Sequence, residues 1–226
     1  MKVTYYGHSC LGVEAAGKNL LFDPFIRQNE LAQAVNVEAL PADYILVTHG
    51  HFDHVADAAE IARRTGALVV STPEVCAWLQ KQGVENLCGM AQGGSVGLDF
   101  GRVKMVNAVH GSRMPDDSDG GLPVGFVVET AQGNFYHAGD TALTMDMQLI
   151  PYTTKLNWAA LPIGDHYTMG VEDAIRAADF IGCSRILGVH YDTFPPIRTD
   201  RDAARLRFTA AGKELVLMGI GTTLEL

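Results

Sequence analysis

Six apolar runs in this chain end in a histidine or an aspartate, and these ends are spread over almost its whole length. A short apolar, β-branched run predicts a buried strand. A reactive side chain at a strand end is held by a rigid sheet yet stays accessible at the sheet edge. Because the ends are so widely spread, both halves of the chain are expected to converge on one rim. The six residues are His8, His49, His110, Asp140, His166 and His190.

The stretch THGHFDH, residues 48–54, lies at a predicted junction between a strand and a helix. Residues 44–47 form an uninterrupted apolar run that predicts the strand. Residues 55–64 have apolar or small side chains at helical spacing, and Gly66 suits the end of that helix. The stretch is therefore expected to be a turn at the edge of a sheet.

Three imidazoles and a carboxylate fall within this turn. In an extended segment alternate residues face the same way, so His49, His51 and Asp53 are expected to face one centre. His54 would reach that centre from the start of the helix. Imidazole and carboxylate are the usual ligands of zinc, iron and manganese. The spacing therefore predicts a metal site, with a polar turn that binds no metal as the alternative.

The pattern H-x-H-x-D-H in residues 48–54 resembles the signature of the metallo-β-lactamase superfamily. Two later motifs, GDHYTMG at 164–170 and GVHYDTF at 188–194, resemble one branch of it. That branch contains small, largely uncharacterised metal-dependent hydrolases related to the L-ascorbate-6-phosphate lactonases. The similarity covers essentially the whole chain. It implies an α/β (α+β) fold, the four-layer αββα sandwich of the metallo-β-lactamase type, as a single domain over residues 1–226.

The resemblance also implies two divalent metal ions, with zinc the first choice and manganese, iron or nickel the alternatives. A hydroxide bridging the two ions would cleave an ester-like bond, a phosphodiester or a lactone, in a small substrate that is possibly anionic. The matching ligands are His49, His51 and His110 for the first metal, Asp53, His54 and His190 for the second, and Asp140 as the bridge between them.

Further residues receive roles from the same resemblance. Asp53 is expected to hold the transferred proton briefly, and His166 to act as a proton donor or substrate clamp. Asp23 is expected to orient ligand imidazoles through their second nitrogen. His8 is expected to line the cleft, and His137 to have a structural or supporting role.

Composition limits the function classes. With 226 residues, 47% of them hydrophobic, the chain can bury a sizeable core. The net charge of −9 without a basic cluster argues against a nucleic-acid-binding surface.

No run approaches the roughly 18 apolar residues of a membrane span, and no signal peptide opens the chain. The four separated cysteines favour reduced thiols of a cytoplasmic protein over disulfides. Pairing into a homo-oligomer stays open.

Two other function classes are alternatives to a hydrolase. Di-iron redox proteins of the same fold carry a carboxylate where His51 stands and append a flavin domain for which this chain has no room. A non-catalytic metal-binding module would be expected to have lost ligands, whereas all seven matching residues are present. The sequence therefore favours a hydrolase.

The remaining pattern predicts further helices. Thr72 and Pro73 suit the start of a helix that ends at Gly83, and helical spacing predicts helices over 142–149, 171–181 and 200–211.

Overall fold

The computed structural model describes residues 1–226 as two seven-stranded sheets with helices on their outer faces. In the first sheet the spatial order is β14-β1-β2-β3-β4-β5-β6, and in the second it is β13-β12-β11-β10-β9-β8-β7. The strands of the first sheet are β1 Lys2–Gly7, β2 Cys10–Ala15, β3 Lys18–Phe22, β4 Tyr44–Leu46, β5 Leu68–Ser71, β6 Leu87–Gly89 and β14 Thr223–Glu225. Those of the second are β7 Ser95–Leu98, β8 Gly101–Asn107, β9 Val124–Thr130, β10 Gly133–His137, β11 Trp158–Pro162, β12 Arg185–Val189 and β13 Glu214–Val216.

The two sheets share one design. In the first, β1, β2 and β3 pair antiparallel, and β3 to β6 continue in parallel. In the second, β7 to β10 pair antiparallel, and β10 to β13 continue in parallel. The last strand, β14, returns to the first sheet and pairs with β1, with Lys2 opposite Glu225. Parallel neighbours bring the ends of β3 to β5, and of β10 to β12, to common edges.

Five α-helices cover the sheets: α1 Phe52–Val55, α2 Ala58–Thr65, α3 Pro73–Lys81, α4 Val171–Phe180 and α5 Arg201–Ala210. Four 3-10 turns lie at Glu30–Ala32, Val37–Ala39, Met145–Leu149 and Pro195–Ile197. None of the helices combines the length and the apolar character that crossing a membrane requires.

Strand alternation divides the core into layers. Leu20 and Phe22 of β3 face the second sheet and belong to the larger apolar cluster, which extends onto α4 and α5. Leu21, between them, faces the opposite way and packs with residues of α1, α2 and α3 such as Ile61. Each face of the first sheet is therefore covered, as the apolar runs along its strands require. The four-layer αββα sandwich expected from the sequence is confirmed.

The predicted helix over 55–64 differs in the structure. It begins earlier, at Phe52, and is interrupted at Asp57. The Asp57 carboxylate accepts hydrogen bonds from the backbone N–H groups of Ile26 (2.6 Å) and Arg27 (3.1 Å). Its own N–H donates to the carbonyl of Pro24 at 3.0 Å. These bonds to a distant loop replace helical bonds, so α1 and α2 are separate.

The predicted helix over 142–149 is shorter than expected and is a 3-10 turn, Met145–Leu149. The N–H of Ala142 donates to the carbonyl of Val109 at 3.0 Å. Thr144 caps the turn that follows by accepting from the N–H of Asp146. Ala142 is thus tied to the segment that follows β8 and leads into His110, and the helical turn begins only after Thr144.

Candidate metal centre

The ligand-type residues lie just beyond strand ends of both sheets. His49 follows β4 of the first sheet, whereas His110, Asp140 and His190 follow β8, β10 and β12 of the second. His49 and Asp140 are almost completely buried, and His190 is 2% exposed. The two halves of the chain therefore converge on one rim, as predicted, although His166, the end of one of the six runs, lies outside both ligand groups.

Two groups of ligand-type side chains meet there, and within each group the possible ligand atoms all lie within 4.8 Å of one another. The THGHFDH stretch contributes to both groups, because the chain turns into α1 at Phe52 and no longer alternates as an extended strand. The spacing argument, which placed Asp53 and His54 at one centre with His49 and His51, was therefore wrong; the resemblance had assigned the two pairs to different metals. One group is His49, His51, His110 and Asp140; the other is His8, Asp53, His54 and His190.

Asp140 stands between the two groups. Its Oδ2 lies 3.0 Å from His190 Nε2 and 3.3 Å from His54 Nε2 in one group. It also lies 3.5 Å from His110 Nε2 and 3.9 Å from His49 Nε2 in the other. One carboxylate oxygen thus has imidazole nitrogens of both groups within 4 Å, the arrangement that a bridging ligand needs.

The buried polar atoms of this centre fit a metal. His54 Nε2 and Asp140 Oδ1 are buried and have no hydrogen-bond partner in the chain. Buried polar atoms without a partner are rare in folded proteins, because losing water without compensation costs free energy. Imidazole nitrogen and carboxylate oxygen together form a donor set that suits zinc, manganese, iron and nickel.

Asp23, at the end of β3, holds two imidazoles in place from behind. Its Oδ2 lies 2.9 Å from His54 Nδ1. The same carboxylate accepts from the Thr48 N–H at 2.8 Å and from the Thr48 hydroxyl at 2.7 Å. Thr48 Oγ1 in turn lies 3.0 Å from His49 Nδ1. Asp23 therefore orients one ligand-type imidazole directly and a second through Thr48, the role the sequence predicted.

His8 has a different place from the one expected. It is buried behind the site, not on the cleft wall, with Nε2 3.0 Å from Asp53 Oδ2 and Nδ1 3.0 Å from Thr193 Oγ1. Burial and the neighbouring His190 lower the pKa of His8 to about 4, although Asp53 opposes this. A neutral His8 thus donates one hydrogen bond that orients the Asp53 carboxylate.

The pKa shifts of three buried groups describe the charges of the centre. Burial, then His54, lowers the pKa of His49 well below its usual range, so this imidazole is neutral with a lone pair available. Burial also acts against a charge on His54, but Asp140 and Asp23 outweigh it and raise the pKa of His54, so this imidazole must release a proton to bind a metal. Burial would raise the pKa of Asp140, yet His190 and His54 outweigh it and lower it, so the carboxylate is ionised.

His137 supports the loop that carries Asp140. Its ring stacks on Phe22 with centroids 5.0 Å apart. Nε2 lies 3.1 Å from the carbonyl of Ser9, and Nδ1 accepts from the N–H of Gly139 at 3.1 Å. His137 is buried and lies outside both ligand groups.

An open cleft of about 470 Å³ leads to the centre. Five of its lining residues belong to the two ligand groups, and the other three are aromatic: Phe52, Tyr167 and Phe194. His166 is exposed and is absent from this lining; its ring lies edge-on to Tyr167, with centroids 4.5 Å apart. A catalytic role for His166 stays a prediction.

Sequence reasoning missed the three aromatic residues of the cleft. Each lies within one of the three motifs: Phe52 precedes Asp53, Tyr167 follows His166, and Phe194 ends GVHYDTF. Their positions within the motifs could have indicated a place in the cleft, but aromatic residues beside such motifs more often pack in a core.

Known proteins resemble this chain over its full length. The model of the beta-lactamase superfamily domain matches residues 18–191. UPF0173 metal-dependent hydrolases from Flavobacterium johnsoniae and Christiangramia forsetii are each 50% identical to it, with 100% of both chains covered.

Among solved structures, Igni18, a metallo hydrolase from Ignicoccus hospitalis, is 35% identical with a TM-score of 0.89. The match covers 100% of this chain and 98% of that one. The sandwich, the ligand-type residues at its rim and the extent of these matches agree. The chain belongs to the UPF0173 metal-dependent hydrolases of the metallo-β-lactamase superfamily.

Proposed function

We propose that the protein is a binuclear hydrolase that cleaves an ester-like bond in a small substrate. The observation that carries this proposal is the position of Asp140 Oδ2, which has imidazole nitrogens of both ligand groups within 4 Å. The proposed ligands are those expected from the sequence: His49, His51 and His110 in one set, Asp53, His54 and His190 in the other, and Asp140 shared.

Two divalent ions held by these residues would lower the pKa of bound water to about 7 and act as Lewis acids on the substrate. The surrounding residues fix the geometry. Asp23 and Thr48 hold His54 and His49, so little reorganisation is needed when charge develops. His8 holds Asp53, which we propose as the temporary acceptor of the transferred proton. Zinc is the proposed metal, with manganese, iron and nickel as alternatives that the same donors accept.

His166 is proposed as a proton donor or substrate clamp at the mouth of the cleft, where its ring contacts Tyr167. A cytoplasmic location is proposed as well, supported by the four free cysteines, three of them buried. The complete ligand set favours catalysis over a binding module. An imidazole at His51, where di-iron redox relatives carry a carboxylate, favours hydrolysis over redox chemistry.

The test is hydrolysis of an aryl phosphodiester and an aryl carboxylic ester by the metal-loaded protein and by Asp140→Asn. An amide lacks the negative charge that the two ions would share, so at least about a hundredfold loss of kcat/KM is expected in the variant. The metal content of the variant, measured in parallel, is expected to be lower than the roughly two ions per chain expected for the unmodified protein.

The matched control is Asp202→Asn, because the Asp202 side chain is 94% exposed on α5. This variant is expected to keep both its rate and its metal. Equal rates in Asp140→Asn and the unmodified protein would refute two-metal hydrolysis.

A further inference from the structure

The wall of the cleft above the ligand groups is aromatic. Phe52 and Phe194 face the cleft, and their ring centroids lie 6.2 Å apart. Both contact Phe25, at 5.6 Å and 6.3 Å between centroids. Phe25 is fully buried, so the wall is anchored in the interior. Phe52 itself is 48% exposed, which leaves apolar ring surface available at the entrance.

No lysine or arginine lines this cleft. Arg27 and Arg113, both in loops, pair with carboxylates outside the cleft: Arg27 with Glu38 and Glu60, and Arg113 with Asp117. Proteins that recognise a phosphate usually place an arginine or lysine against its oxygens. The wall of the cleft offers no such charged clamp.

Tyr167 is the one polar side chain of the wall outside the ligand groups, and its hydroxyl makes no hydrogen bond within the chain. A tight turn holds it there. Asp165 and His166 both have left-handed backbone conformations, with φ of 59° and 54°. The Asp165 N–H donates to the carbonyl of Met169 at 3.1 Å, and the Met169 N–H donates to the carbonyl of Thr141, next to Asp140, at 3.0 Å. A strained turn tied to the site is a common device for placing a functional side chain.

We propose that the cleft takes an uncharged, apolar substrate: a carboxylic ester or lactone with an aromatic or branched alkyl group. That group packs on Phe52 and Phe194, and an oxygen of the ester accepts a hydrogen bond from the Tyr167 hydroxyl. This inference rests on the proposed hydrolytic function and selects the carboxylic ester over the phosphodiester. Water adds to the carbonyl carbon, the carbon–oxygen ester bond breaks, the alcohol leaves with one proton, and the acid product ionises.

Binding is tested first, without turnover, on zinc-loaded protein. Butyranilide is an uncharged, hydrolysis-resistant probe, and phenyl phosphate is its charged counterpart. Titration calorimetry is expected to show that butyranilide binds more tightly than phenyl phosphate. Phe194→Ala and, as a second and more exposed position, Phe52→Ala are each expected to weaken it about tenfold, because apolar contact is lost. Tyr152→Ala is the matched control, since Tyr152 is 84% exposed and lies outside the cleft.

Turnover then separates this inference from the proposed function. Zinc-loaded protein is expected to hydrolyse 4-nitrophenyl butyrate with a higher kcat/KM than the matching phosphodiester, and with a KM that rises about tenfold in Phe194→Ala. The inference would be overturned if phenyl phosphate bound more tightly than butyranilide and if neither phenylalanine variant changed the affinities. This holds even if a phosphodiester is hydrolysed. Phenylalanine-dependent binding of butyranilide without hydrolysis of either ester would support the ligand class and refute the hydrolytic function.

Discussion

Asp23 shows how one buried carboxylate organises two imidazoles of the metal centre. It contacts His54 directly and His49 through the Thr48 hydroxyl. A carboxylate on the second nitrogen of an imidazole selects the tautomer and increases the basicity of the ligating nitrogen. Asp23 is therefore expected to contribute to metal affinity, although it lies outside both ligand groups.

Asp23→Asn is expected to lower metal affinity about 10- to 100-fold. The amide keeps the size of the side chain but loses the charge that orients His54. Competition with a chromophoric zinc chelator measures the change, and Asp202→Asn serves as the exposed control. Unchanged zinc affinity in Asp23→Asn would show that Thr48 and the backbone suffice to orient the imidazoles.

His166→Ala tests the proposed proton donor. Loss of a general acid is expected to lower kcat by about 100-fold or more, and the metal content is expected to stay at the level of the unmodified protein. Steady-state kinetics on an ester with a poor leaving group measures the effect most sharply, because protonation matters most there. Unchanged kcat and KM would assign His166 to the rim alone.

At the scale of the element, the loop between β10 and Asp140 depends on Gly139. Its φ is +61°, and a Cβ added there would lie 2.7 Å from the Cβ of Thr48. Thr48 belongs to the THGHFDH stretch, so the loop of the second sheet fits tightly against that of the first. Only glycine combines the left-handed conformation with this close approach.

Gly139→Ala is expected to destabilise the fold by about 2–4 kcal/mol, from the left-handed backbone and from steric overlap with Thr48. Gly17→Ala is the matched control, since Gly17 has a φ of +76° but no atom within 4 Å of an added Cβ. Its cost is expected to be about 1–2 kcal/mol, from the backbone alone. Urea unfolding of the two variants measures the difference. Equal losses in the free energy of unfolding would show that Thr48 moves aside at little cost.

At the scale of the whole molecule, the ligand groups join the two sheets. His49 and His54 come from the first sheet and its α1 helix, whereas His110, Asp140 and His190 come from the second. Each group takes side chains from both sheets, so metal binding would hold the halves of the sandwich together at this rim. Bound metal is therefore expected to stabilise the fold as well as to serve chemistry.

Removing metal with a chelator is expected to lower Tm. A ligand at about 100 times its Kd stabilises the native state by about 2.7 kcal/mol. For a chain of this length that corresponds to a shift of roughly 5–10 °C. Calorimetry before and after chelation measures the shift, and added zinc is expected to restore it. If neither chelation nor added zinc changed Tm, the result would contradict metal binding across the two sheets.

The sequence by itself determined the strand ends and, through the resemblance of its motifs, the family, and the seven proposed metal ligands follow from that same resemblance. Apolar runs and the residues that end them are local properties, readable from periodicity and side-chain chemistry. The role of Asp23 was predictable too, because the superfamily motif places a carboxylate at that strand end.

Only the tertiary structure shows why the ligand-type residues divide as the resemblance implied, since Asp53 joins the second group because α1 begins at Phe52. Bonds between Asp57 and residues 24–27, distant in sequence, separate α1 from α2. The cleft wall is also a tertiary property: Phe52, Tyr167 and Phe194 come from three separate segments and meet only in the folded chain. Local sequence patterns do not predict such contacts, because the packing of distant segments determines which side chains are exposed to solvent in the cleft.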